Sequence, residues 1–188
     1  MMSKILPILQ KHWYNFLVVF SWFYLYTFFL ARYESLGKAI DGMISVFEFL
    51  RITVVSDALI STRGFIEQGP WPTVMSTVSI LLVICSTWSF VLYFKNPPVG
   101  VVRILPAGFL VMSILLVFDY AQSDVMAFCV SLASLLFISV YMLTKRDELR
   151  YTAGGTLFQI YAEVLLFVAL PGVLVWILLG NLAYKISK

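Results

Sequence analysis

Glu163 is the residue whose type and position hold the most chemical promise. It lies two helical turns into an apolar stretch that begins at Thr156, with Gln159 one turn before it on the same helical face. At about 1.5 Å per residue its carboxyl sits roughly 10 Å along that helix, below headgroup level. An ionisable group at that depth faces protein and takes a partner. Arg103 enters another apolar stretch from the same side, and its long side chain can reach inward. The sequence therefore predicts an intramembrane polar set of Arg103, Gln159 and Glu163. Two roles fit that set: a clamp holding two helices together, or an ion- or proton-binding site.

Other chemistries lack their residues. A single histidine, His12, rules out paired axial histidines, an H-E-x-x-H zinc site and a Ser-His-Asp triad within one chain. Cys85 and Cys129 are far apart in sequence and form no C-x-x-C. Placed in their helices they differ in depth by about 12 Å, too far for a disulfide, and they are expected to be buried free thiols. Asp119 and Asp124 flank one short connection. They read as caps of a hairpin, with Lys185 and Lys188 emerging nearby, and offer too few oxygen ligands for a divalent cation. The expectation is a protein with no catalytic residue, no cofactor and no metal.

The surroundings these residues need follow from composition. Of 188 residues, 61% are hydrophobic and 12% charged, against roughly half apolar and a quarter charged in soluble domains. Mean hydropathy is +0.94. The net charge of +3 is dispersed, so no basic patch for nucleic acid exists. Continuous apolar runs of this length require lipid as solvent.

The apolar runs predict an all-α, polytopic membrane bundle forming one integral domain over 1–188, with five spans at about 13–31, 73–94, 101–118, 125–142 and 156–184. The first follows a basic lead (Lys4, Lys11) but is too long for a cleaved leader, so it is expected to remain as a span. It is crowded with aromatic residues. These suit a lipid-facing helix at the edge of the bundle, or a docking surface for another subunit. The second span carries Ser76, Ser79, Ser86 and Ser89 at helical spacing, and the fourth carries Ala127, Ser131 and Ser134. Small residues in such a stripe let helices approach closely, which predicts a packing seam and places the second span at the centre. Pro106 and Pro171-Gly172 predict bends in the third and fifth spans.

Between the first two spans, Ile40, Met43, Ile44, Phe47, Leu50 and Val54 recur at helical spacing with Lys38, Asp41, Ser45 and Glu48 opposite. That pattern predicts one amphipathic helix over about 35–61, lying on the membrane surface or packed on the bundle, with Glu48 and Arg51 paired on its outer face.

Orientation follows from basic residues in the short loops. Lys95, Arg103, Lys145, Arg146 and Arg150 mark two connections as cytoplasmic, which puts the N-terminus inside and the C-terminus outside. Small size, an absent catalytic set and packing seams point to a non-enzymatic integral subunit of a larger inner-membrane assembly, of the secretion, conjugation or transport kind, in a bacterial plasma membrane. Its partners are then lipid and other membrane subunits, or copies of itself. The alternative is a small homo-oligomeric transporter or channel using Arg103, Gln159 and Glu163.

The polar set is open to a double-mutant cycle. Glu163→Gln and Arg103→Leu are each expected to destabilise the protein in detergent, and the double mutant by less than their sum, with a coupling of about 0.5–3 kcal/mol. Strict additivity would mean that the two side chains do not meet.

Overall fold

A computed structural model describes residues 2–95 and 105–144 and, beyond these, 158, 161, 162, 164–171, 173 and 177, with side chains from residue 16 to 92 and from 106 onward within that set. Among the described residues the chain is helical throughout, with no strand. Six helices have clear bounds: α1 (Met2–Tyr33), α2 (Ala39–Phe49), α3 (Thr53–Ile66), α4 (Trp71–Lys95), α5 (Leu105–Tyr120) and α6 (Asp124–Thr144). The described positions among 158–177 belong to a seventh helix, the place of the expected fifth span.

Three of these helices are long and apolar enough to cross a membrane: Phe16–Tyr33 within α1, Trp71–Leu92 within α4, and Asp124–Thr144. The apolar stretch of α5, Pro106–Tyr120, is shorter. The helices run up and down in turn, as their short connections demand. The end of α1, the start of α4 and the end of α5 gather at one end of the bundle, where Lys38 lies 5.3 Å from the Tyr120 ring and Phe65 lies 4.6 Å from Trp71.

The hub is α5, not α4. It packs against α1, α4 and α6, and its Ala107, Leu110, Ser113 and Val117 are almost wholly buried. One core cluster joins Val18 and Leu25 of α1 to Phe90, Leu110, Ile138, Met142 and Phe167. Gly108 makes room for this cluster, because a Cβ there would lie 2.6 Å from the Phe167 ring. A helix buried on several sides needs no polar face and shows little amphipathic pattern. That is why periodicity alone could not single it out.

The segment read as one amphipathic helix is two. The chain turns at Leu50–Ile52, where Arg51 takes φ 56°, and α3 runs back along α2. The turn closes with Ile52 N–H donating to Phe47 O (2.9 Å) and Arg51 N–H to Glu48 O (2.9 Å), the pattern that ends helices at a left-handed residue. Ser35 (φ 59°) ends α1 in the same way. Because the helix stops before Arg51, the expected Glu48–Arg51 pair does not form.

The hairpin packs along α1 and α5. Phe47 meets Phe23 at 5.7 Å, and Met43 joins a cluster with Tyr24 and Phe28 against which Met112 and Leu116 also pack. Asp41, expected on the polar outer face, is buried. The crossing is closest at Gly42, where a Cβ would lie 2.1 Å from the Thr27 carbonyl oxygen. Backbone cannot move aside as a side chain can. Gly42→Ala is therefore expected to destabilise the protein by about 1–3 kcal/mol. Gly64→Ala in α3, where nothing lies within 4 Å, should be neutral or stabilising by up to about 1 kcal/mol. Thermal unfolding of both variants in one detergent compares them, and equal losses would contradict the packing described.

Candidate functional site

Among the described residues, most buried polar side chains gather at two levels of the bundle. The first is the head of α2, where Asp119 of α5 is completely buried. Its Oδ2 accepts the Tyr24 hydroxyl (2.7 Å) and the Ala39 backbone N–H (3.0 Å). The Ala39 amide is one of the donors that a helix start leaves without a partner, and the helix dipole adds positive potential there. Asp119 thus caps α2 from another element and ties α1, α2 and α5 together. Asp41 reinforces the same start by accepting the Lys38 backbone N–H (3.0 Å).

Each buried acid keeps one oxygen, Oδ1, without a hydrogen-bond donor, and a guanidinium faces each. Arg63 Nη1 approaches Asp41 at 2.9 Å, and Arg32 Nη2 approaches Asp119 at 3.8 Å. Glu67 links the rim, 3.3 Å from Lys38 and 3.5 Å from Arg63. Exposed pairs such as Lys38–Glu67 contribute little. The buried carboxylates matter more, since removing their partners would leave charge without solvent. A small cavity of about 230 Å³ adjoins the cluster, lined by Lys38, Thr73, Asp119, Tyr120 and Gln122. Among the described residues, no three His, Cys, Asp or Glu side chains converge as metal ligands.

The second level is the serine and threonine seam. Ser86 and Ser113 share a hydrogen bond across α4 and α5 (2.6 Å), and Thr87 and Ser134 share one across α4 and α6. Ser76, Ser79, Ser86, Ala127, Ser131 and Ser134 are buried, whereas Ser89 is exposed. Cys85 and Cys129 are free thiols but exposed, contrary to the burial expected for them. Both fall on outward helix faces, which sequence depth alone does not reveal.

The α1 aromatics divide between two faces. Phe16, Phe20, Tyr26 and Phe29 are exposed, whereas Tyr24 and Phe28 are buried. Trp22 stacks on Phe167 and donates from Nε1 to the Phe167 carbonyl (3.0 Å). Pro171, one turn later, has no N–H to offer that carbonyl. The indole supplies the missing donor, as an apolar surrounding demands.

Arg103, Gln159 and Glu163 lie outside the described residues. Sequence reasoning missed Tyr24, Thr87, Ser113 and the central place of Asp119. One signal was present: Ser21, Thr27 and Ala31, all buried, are small residues on one face of an aromatic-rich helix. No protein-family model, curated protein or solved structure matches the chain.

Asparagine at 119 can keep an acceptor oxygen toward Tyr24 and Ala39, whereas alanine cannot. Asp119→Asn is expected to cost about 1 kcal/mol and Asp119→Ala about 2–5 kcal/mol, because the alanine leaves buried donors unpaired. Unfolding in mixed micelles measures both. Equal losses would mean that charge, and not the acceptor geometry, is what Asp119 supplies.

Proposed function

We propose that this protein is a non-enzymatic integral subunit of a larger membrane assembly, of the secretion, conjugation or transport kind, contributing helix packing and scaffolding. The observation that carries this reading is how its interior polarity is used. Among the described residues, Asp41 Oδ1 and Asp119 Oδ1 are the only buried side-chain polar atoms without a hydrogen bond, and each faces an arginine. The seam hydroxyls bond to one another or to their own helices. Among the described residues, groups held this way are committed to partners inside the protein, where they set helix positions.

An outer surface rich in large apolar side chains fits the same reading. An apolar cleft of about 510 Å³ opens between α4 and α6, lined by Ile80, Ile84, Trp88, Val130, Ala133 and Phe137. Such clefts accept lipid chains or a neighbouring helix. In this reading the chain makes five spans in a bacterial inner membrane, with its N-terminus in the cytoplasm on the basic side of the loops.

Purification from native membranes in mild detergent, followed by intact-complex mass measurement, tests the assignment. Unlike membrane proteins are expected at fixed stoichiometry. Recovery of this chain with no unlike partner would overturn it and favour the transporter alternative.

A further inference from the structure

The α2–α3 hairpin descends beside α1 and α5 from the end of the bundle marked by Asp119 and Tyr120. From Ala39 to Phe47 the descent is about 12 Å, at 1.5 Å per residue. A hydrocarbon core is about 30 Å thick. With Asp119 at its boundary, the turn at Leu50–Ile52 comes near the middle of the bilayer.

That turn has a surface unsuited to lipid. Glu48, Arg51 and Asp57 are exposed and make no ion pair among the described residues. Beside them, Phe49 is 85% exposed and Val54 80%. Ionisable side chains at this depth belong against protein or water, not acyl chains. Arg51 also holds a left-handed backbone (φ 56°) that glycine would adopt at lower cost. The position carries an arginine despite that preference.

We propose that the hairpin tip is a self-association surface on which a second copy of the chain packs about a two-fold axis. Charge complementarity favours a second copy. The patch carries both signs, so a two-fold axis through it can set Arg51 of each copy against Glu48 or Asp57 of the other. Phe49 and Val54 supply the apolar contact between the charges. The inference rests on the depth of the hairpin and not on the assembly reading. Homodimers without unlike partners would overturn that reading and keep this one, and an unlike protein at the tip would do the reverse.

The 188-residue chain, reconstituted in nanodiscs and also studied in cell membranes, provides the test. Wild type is expected to be dimeric by single-molecule photobleaching. Arg51→Gly suits the turn, so it removes the cation while preserving the hairpin. Its self-association is expected to weaken by about tenfold or more, as loss of a close charge pair implies, with an unchanged or higher unfolding temperature. Arg51→Glu, which adds repulsion to the loss of the cation, should be monomeric, and co-expression with Glu48→Lys/Asp57→Lys should restore mixed dimers. In a Cys85→Ser/Cys129→Ser background, Phe49→Cys should be joined to its copy by a membrane-permeant bismaleimide. The proposal is overturned if Arg51→Gly dimerises as wild type does. Labelling of Phe49→Cys by an impermeant maleimide, or its cross-linking to an unlike protein, would also overturn it.

Discussion

The carboxylate of Asp119 is the point against which three helices are set. It lies in the last turn of α5, receives the Tyr24 hydroxyl from α1 and caps α2 through the Ala39 amide. A buried acid persists only where donors and cations surround it. Its demand therefore specifies how far α1 slides past α5 and where α2 begins. Arg32 above it and the Lys38–Glu67–Arg63–Asp41 links beside it extend the same constraint into α3. Without this anchor, apolar packing alone would tolerate many registers, because one Leu or Val face substitutes readily for another.

The rest of the bundle answers one rule: in an apolar medium every backbone and side-chain polar group must find its partner inside the protein. Pro171 removes a donor, and Trp22 of a different helix replaces it. Ser86, Ser113, Thr87 and Ser134 gather where α4, α5 and α6 approach closely enough for hydroxyls to meet. Glycine serves the same closeness at Gly42 and Gly108, where a methyl group would strike a carbonyl or an aromatic ring. Small size at these positions and polarity at the seam are two sides of one packing solution.

The α2–α3 hairpin is where this solution is least self-contained. Its inner face is built into the core through Met43, Gly42 and Phe47, but its turn carries charge outward. An amphipathic pattern records only that one face is buried. It does not distinguish a surface-lying helix from one folded back against the bundle, since both bury Ile40, Met43 and Ile44. Contacts with Thr27, Phe23 and Met112 decide between them.

From sequence alone came the helical, lipid-compatible character of the chain and the place of its long apolar helices. The expected 73–94 and 125–142 fall within α4 and α6, whose bounds are Trp71–Lys95 and Asp124–Thr144. Hydrophobicity is a local property summed along the chain, so it survives without a fold. The serine and alanine stripe was visible for a related reason, because helical spacing is also local, although Ser89 of that stripe faces outward. The break at Arg51 was not, because no glycine or proline announces it and an arginine takes the left-handed conformation there. Nor was the role of Asp119, whose neighbours Tyr24 and Ala39 are 95 and 80 residues away. A carboxylate at a helix end looks the same in sequence whether it faces water or caps a distant helix. Only the tertiary structure brings those donors to it, and burial then turns an ordinary hairpin residue into an anchor.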